Sequence, residues 1–390
     1  MVILGSGIKA VFVIGFLKIP IRIEESRKII HVDMDAFFAS VEEREHPYYK
    51  KKCLIVAQDP RKNHHHGVVT TANYNARKYG VHSAMPAQQA VELIPREKLV
   101  IAPPNFELYR KVSNYIHGIF ADVTDVYQSV ALDEAYLDVT KNKLDENNTV
   151  KIANYIQQRI IKETRLTCSV GISYNKFLAK MASDYRKPFG RTIILGEYAE
   201  DFLKPIPIEK FNGIGKAMQK KLHDMDVYTG EDLQNLDQDI FLKTFGKLGY
   251  VMFRRVHGID DSPVNNHRLR KSIGRERTYN MNLVLDKQVE QELHFLADLV
   301  SKDLKKQRQH GKTIVLKLRN SEFETITKRM SFQDYVQNSD EIYRVAKGIY
   351  DKLKVSDQKI RLLGITVTNL DPLSYQEVSL KLFKDGGTNE

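Results

Sequence analysis

Cysteine is scarce. Cys53 and Cys168 are the two in 390 residues, in unrelated contexts, which argues against a disulfide framework and fits a reducing cytosol. Both read as inert packing residues. No internal repeat or low-complexity tract is present, so the coarse map rests on periodicity and on breaks in composition. A long uninterrupted apolar run is also missing. The most apolar stretch, Met1 to Pro20, is broken by Lys9 and Lys18, is short for a membrane span, and lacks both a basic start and a small-residue cleavage site. We read residues 1–27 as an extension outside the fold, of the kind an upstream translation start adds, with a membrane or partner anchor as the alternative. Acidic residues are in deficit: 60 Lys and Arg against 49 Asp and Glu give a formal charge of +11. That balance favours an acidic polymer or an anionic membrane over a neutral metabolite as partner. The length leaves room for several domains.

Against this background two acidic segments stand out, Ile29-Ile-His-Val-Asp-Met-Asp-Ala-Phe-Phe38 and Val130-Ala-Leu-Asp-Glu-Ala-Tyr-Leu-Asp-Val139. Each is a short, β-rich apolar run that delivers carboxylates where the run stops, as a sheet does when it presents oxygen ligands to a divalent cation. Asp33 comes from one, Asp133 and Glu134 from the other. Three converging carboxylates would repel one another unless neutralised, so the arrangement suggests a Mg²⁺ site for nucleotide phosphates. The competing reading is a set of solvated loop acids.

Periodicity predicts strands at Lys28 to Asp33, Val126 to Leu132, Ala135 to Val139, Thr167 to Ile172 and Thr192 to Leu195. It predicts helices opening at Ala36 to Glu43 and covering Asn105 to Ala121 and Val150 to Glu163. Two βαβ-type halves around a hairpin suit an antiparallel sheet with helices on one face, and an inserted subdomain lies before Pro103. From Gly196 to Gly258 short helices are punctuated by Gly213-Ile-Gly215 and Gly246-Lys-Leu-Gly249. Gly213, Gly215 and Lys216 form a helix-hairpin-helix signature, whose backbone N–H groups can face a phosphate; a plain interhelical turn is the alternative. Asp260 to Arg270 reads as a linker. A second βαβ-type set follows, with strands at Lys271 to Tyr279, Thr313 to Leu318, Phe323 to Met330 and Arg361 to Asn369, and helices at Lys287 to Gln309 and Asp340 to Leu353. Its first strand and approach carry Arg268, Arg270, Lys271, Arg275 and Arg277, a charge pattern that could track a phosphate backbone or simply guard a solvated edge.

Four motifs now stand in order: Asp33-Met-Asp-Ala-Phe-Phe-Ala-Ser-Val-Glu42, Thr71-Ala-Asn-Tyr-Asn-Ala-Arg-Lys-Tyr-Gly-Val-His-Ser-Ala-Met-Pro86, Leu132-Asp-Glu-Ala-Tyr-Leu-Asp138 and Asn175-Lys-Phe-Leu-Ala-Lys-Met-Ala-Ser-Asp184. From about Lys28 to Asp371 the chain closely resembles the bacterial polymerase IV, or DinB, branch of the Y-family translesion DNA polymerases. The resemblance implies an α+β right hand: a ferredoxin-like palm (28–37 and 104–195), small fingers (38–103), a helix-hairpin-helix thumb (196–259), a linker (260–270) and an α/β little finger (271–370). It implies catalytic metal ligands at Asp33, Asp133 and Glu134 with the Met34 carbonyl, and two Mg²⁺ ions per site. Asp35 stays off the ligand list. It further implies triphosphate contacts at Tyr74, Arg77 and Lys180, and Phe38 as the steric gate against a ribose 2′-hydroxyl, with Phe37 in the core. Phe38 could equally be a core residue of the first helix turn.

Some positions depart from that family. Before the acidic pair a small hydroxyl residue is usual, but here the run is Gln128-Ser-Val-Ala131. His64, His65 and His66 fill a fingers turn; neighbouring side chains chelate one ion poorly, so a partly charged loop near the template is the preferred reading. In the tail (371–390), Gln376-Glu-Val-Ser-Leu-Lys-Leu-Phe383 is similar to a sliding-clamp peptide, with Val378, Leu380, Leu382 and Phe383 as clamp contacts; a terminal strand or frayed end is the alternative.

The expected partners are primer-template DNA, dNTPs and a sliding clamp, for a cytoplasmic monomer that acts on the nucleoid. No stretch resembles a proofreading exonuclease. Two rivals are a nucleotide-sugar transferase built on Asp33-Met-Asp35, which leaves the basic features unexplained, and a DNA-binding scaffold without catalysis, which the intact acids oppose.

Overall fold

The computed structural model describes residues 19–62, 67–266, 269–353 and 359–373. The chain divides after Asn266 into two units. The first is built on a five-stranded sheet in the order Tyr127–Ser129, Glu134–Asp138, Ile29–Met34, Cys168–Ser173, Arg191–Ile193. The first four strands pair antiparallel and the last pair is parallel.

Strand Ile29–Met34 is buried along its whole length, yet its two faces differ. Alternation sends Ile30, Val32 and Met34 into a core with Tyr109, Ile116 and Phe120 of helix Phe106–Val123 and Ile152, Ile156 and Ile160 of helix Thr149–Thr164. Asn105 and Asn148 cap those helices by accepting backbone N–H groups in the first turn. The opposite face carries Ile29, His31 and Asp33, and helices were expected on one face only. In fact helix Lys176–Tyr185 lies across this second face: His31 Nδ1 is 2.9 Å from Ser183 Oγ, and a Cβ at Gly171 would sit 1.9 Å from the Ala179 carbonyl. Glycine is the residue that permits this approach.

The predicted strand at Val126 to Leu132 is shorter than expected, because Val130 and Ala131 both donate their N–H groups to the Glu134 carbonyl and close a turn. The acidic pair therefore opens the following strand, whereas Asp33 lies near the end of its own. Antiparallel pairing brings the two together.

An inserted subdomain has its own three-stranded sheet, ordered Thr71–Ala72, Cys53–Val56, Leu99–Ala102, and its own core of Ile55, Val69, Ala72, Ala76 and Met85. Five short helices between Ala199 and Val256 pack around Leu203, Phe211, Leu222 and Phe241. Residues 19–27, expected outside the fold, are tied onto it. Ile19 is buried in that helical core, and Arg27 donates to the Asp260 and Ser262 carbonyls at 2.7 and 2.9 Å.

The second unit is a four-stranded antiparallel sheet, ordered Thr325–Val336, Gln309–Asn320, Ile360–Pro372, Ser272–Leu283, with helices Asp286–Lys306 and Ser339–Leu353 on one face. Among the described residues no helix is long and apolar enough to cross a membrane.

Candidate active site

Asp33 and Glu134 are register partners on adjacent strands, so their side chains emerge on the same face. Helix Lys176–Tyr185, capped by the Asn175 side chain, carries Lys180 over that face. The Lys180 ammonium donates to Asp33 Oδ2 and to Glu134 Oε2, each at 2.7 Å. Just past the helix, Lys187 Nζ stands 2.8 Å from Asp33 Oδ1 and 2.9 Å from Asp184 Oδ1. Burial alone would raise the Asp33 carboxyl, but Lys180 and Lys187 more than offset it and hold it below its ordinary value. Glu134 is drawn down to about 2, first by the His31 imidazole facing it and further by Lys180, against the opposing effect of burial. At 3.5 Å the His31 contact is electrostatic rather than a formed hydrogen bond. Burial keeps His31 itself below the usual imidazole range.

Asp133 differs. Its carbonyl accepts from the Met34 N–H at 2.8 Å, locking the two acidic segments together, but neither lysine forms an ion pair with its carboxyl. Burial first, and then the Asp33 charge, push it up to about 6. Among the described residues no three His, Cys, Asp or Glu side chains are gathered at metal-holding distance. Lys180 bridges two of the carboxylates instead. The donor set is all oxygen, the chemistry suited to Mg²⁺, and Asp133 is raised chiefly by its burial, with the Asp33 charge adding to it.

Asp35 is spent on architecture. Its Oδ1 accepts from Ser169 Oγ at 2.7 Å and its Oδ2 from the Phe189 N–H at 2.9 Å, and it is buried.

Asp33, Asp133 and Lys180 line a cleft of about 260 Å³ together with Phe38, Tyr74, Arg77 and Lys187. Tyr74 and Arg77 come from helix Tyr74–Arg77 of the inserted subdomain, whose Asn73 cap accepts from the Ala76 N–H. The Arg77 guanidinium lies over the Tyr74 ring at 5.0 Å and donates through Nε to the Ala72 carbonyl. The Tyr74 hydroxyl is buried with no hydrogen-bond partner among the described residues, and burial pushes it up to about 12. A buried donor without a partner beside cationic side chains is suited to a ligand oxygen. Phe38 is half-buried at the cleft, while Phe37 is in the core.

Sequence reasoning missed Lys187. Its signal, a lysine in Tyr185-Arg-Lys-Pro188 after the helix, carries no meaning until folding places it beside Asp33.

Gly213 has φ +97, where a Cβ would come within 3.1 Å of the Arg255 guanidinium, and Gly215, which precedes helix Lys216–His223, has nothing within 4 Å of where its Cβ would point. Gly249 instead serves packing, since a Cβ there would meet the Phe241 carbonyl at 2.0 Å. In the second unit Arg275 and Arg277 do share a face, but it is the helix side. Arg275 pairs with Asp303 at 2.6 Å and Arg277 with Glu292 at 3.4 Å, while Arg270 donates to Gln307. The face away from the helices carries Lys317, Arg319 and Arg329 with Thr313, Ser331, Thr366 and Thr368, a combination the sequence pattern did not reveal. Arg268, His64, His65, His66 and the tail residues Val378, Leu380, Leu382 and Phe383 lie outside the described residues.

Comparison with known proteins points the same way. Residues 32–184 match the impB/mucB/samB family, residues 197–227 the IMS family HHH motif, and residues 270–380 the impB/mucB/samB family C-terminal domain. The chain is 50% identical over 352 residues to DNA polymerase IV of Streptococcus agalactiae serotype Ia, covering 90% of this chain and 96% of that protein. It is 48% identical over 363 residues to DNA polymerase IV of Streptococcus pyogenes serotype M28, covering 93% and 99%. A solved chimera of Y-family DNA polymerases superposes with a TM-score of 0.80 at 29% identity, over 88% of this chain and 99% of that one. With Asp33 and Asp133 lining one cleft and Glu134 joined to Asp33 through Lys180, in this fold, the chain belongs to the Y family of DNA polymerases, in its low-fidelity, translesion DNA polymerase IV branch.

Proposed function

We propose that this cleft adds dNTPs to a primer 3′-hydroxyl, with Asp33, Asp133, Glu134 and the Met34 carbonyl as ligands for two Mg²⁺ ions. When bound, the ions supply a lowered pKa at the attacking hydroxyl and charge neutralisation on the triphosphate and leaving pyrophosphate. The protein's own contribution is position and charge. Lys180 and Lys187, which neutralise the carboxylates here, turn to phosphate oxygens when substrate is present, and Arg77 presents a planar fork beside the Tyr74 hydroxyl. Phe38 fills the space a ribose 2′-hydroxyl needs.

The observation that carries this reading is Asp33 and Glu134 bridged by one ammonium in a cleft that Asp133 also lines. Primer extension with Mg²⁺ and four dNTPs tests it. Template-dependent lengthening is expected, lost in Asp33→Asn and Glu134→Gln while primer-template affinity is kept; a sugar transferase or a scaffold would lengthen nothing. Retained turnover in either amide variant would remove that residue from the ligand set.

The assignments around the cleft follow. Residues 28–37 and 104–195 serve as palm, 38–103 as fingers, 196–259 as thumb, 260–270 as linker and 271–370 as little finger. The backbone at Gly213 and Gly215, with Lys216, faces a DNA phosphate, and Arg268, Arg270 and Lys271 provide a second basic track, which Arg275 and Arg277 join only by exchanging Asp303 and Glu292 for phosphate. Lys317, Arg319 and Arg329 add a third. The tail reaches a sliding clamp through Val378, Leu380, Leu382 and Phe383. The protein works as a cytoplasmic monomer on nucleoid DNA.

A further inference from the structure

Phe38 is held by more than its own helix. Tyr109 of helix Phe106–Val123, wholly buried, lies face to face with it, ring centroids 4.4 Å apart and planes inclined by 15°. Phe106 closes the side of this pair edge-on, 5.7 Å from Phe38 at 82° and 5.9 Å from Tyr109 at 77°. The Tyr109 hydroxyl donates to Glu42 Oε1 at 2.7 Å, and Glu42 is 6% exposed. Glu42 sits one turn along the same helix, Phe37–Glu45, that carries Phe38. The contacts therefore close on themselves: Phe38 stacks on Tyr109, Tyr109 bonds Glu42, and Glu42 is rigidly joined to Phe38 through the helix. A core needing only bulk would be served by phenylalanine at 109 and an apolar residue at 42, with no buried carboxylate to desolvate. Retaining the costlier pair fixes where the ring lies rather than merely filling space.

We propose that Tyr109, braced by Phe106 and Glu42, is a positioning residue for sugar selection, backing the Phe38 ring so that it cannot yield to a 2′-hydroxyl on the incoming nucleotide. This rests on the reading of Phe38 as the steric gate. A ring that excludes one oxygen atom by contact does so only as well as it resists being pushed. Phe38 on a single side chain could rotate away, whereas Phe38 against a buried, hydrogen-bonded ring has nowhere to go.

The test is single-nucleotide insertion by the full chain, with kcat and KM measured separately for a dNTP and its matching rNTP. Phe38→Ala should lower the dNTP-to-rNTP ratio of kcat/KM by about 100-fold or more, and Tyr109→Leu by about 10-fold, chiefly through a lower KM for the rNTP. Tyr109→Phe, which keeps the stack but loses the bond to Glu42, should lower the ratio by about 3-fold, less than Tyr109→Leu does. Phe106→Ala, at a position 43% exposed where truncation opens no core cavity, should lower it by about 5-fold and carries the test if Tyr109→Leu does not fold. A ratio unmoved in Phe106→Ala and Tyr109→Leu, with both substrates used equally less well, would make Tyr109 an ordinary core residue and overturn the proposal. A ratio unmoved in Phe38→Ala would instead overturn the gate reading beneath it.

Discussion

Asp33 and Glu134 occupy paired positions on neighbouring antiparallel strands, and one ammonium, that of Lys180, lies 2.7 Å from an oxygen of each. Two carboxylates this close repel unless something positive stands between them.

Replacing Lys180 by Met should therefore lower the melting temperature in metal-free buffer, with partial recovery when Mg²⁺ is added. Insertion kcat/KM should fall about 100-fold. An unchanged melting temperature without metal would show that the ammonium is not what holds the acids together.

Asp133 leads to an opposite expectation. Its pKa rises on folding from 3.8 to about 6, so between those values the folded chain holds more protons than the unfolded chain, and stability falls as pH rises through the window. At neutral pH its ionised carboxyl costs at most about 3 kcal/mol, and about 1–2 kcal/mol after allowing for partial solvent exposure. Asp133→Asn should therefore be more stable than the parent at pH 7 in metal-free buffer, equally stable near pH 4, and inactive. Denaturant melts at the two pH values check this; a variant less stable at pH 7 contradicts it.

Gly171→Ala tests the helix that delivers Lys180. The new Cβ would meet the Ala179 carbonyl at 1.9 Å and the Ser183 N–H nitrogen at 2.4 Å, backbone atoms that cannot step aside singly. A loss of about 3 kcal/mol or more is expected, together with loss of insertion activity. A denaturation midpoint equal to the parent's would show that the helix can lift off the sheet without penalty.

Truncation after Asp371 should abolish stimulation of synthesis by a sliding clamp and leave distributive synthesis unchanged. Equal stimulation of both proteins would assign clamp binding elsewhere.

The acids were legible because a carboxylate within an otherwise apolar β run is conspicuous, and Asp33, Asp133 and Glu134 all line or adjoin the cleft. Arg77, Tyr74 and Lys180 became legible through family motifs rather than through chemistry. Lys187 and Tyr109 did not, because their meaning arises from convergence: one is a lysine among many until it reaches Asp33, the other an aromatic on a helix face until it meets Phe38. The same limit explains the sheet. Periodicity shows that helix Lys176–Tyr185 has an apolar side but not which face of the sheet it covers, and only the space left at Gly171 decides that. The basic strand carries a related lesson, since Arg275 and Arg277 align as alternation requires yet meet Asp303 and Glu292 on the neighbouring helix.

The double engagement of Asp35 has a wider consequence. An Asp-x-Asp triplet invites a symmetrical interpretation, with both acids gripping the same ion, but the strand ends at Met34 and Asp35 lies in the turn beyond it, among other neighbours. Here one aspartate faces the cleft while its twin acts as a rivet, fastening the strand that carries Ser169 to the loop at Phe189. Exchanging the two by mutation would disturb the protein twice over, once at the Lys180-bridged pair and once in the frame beneath it.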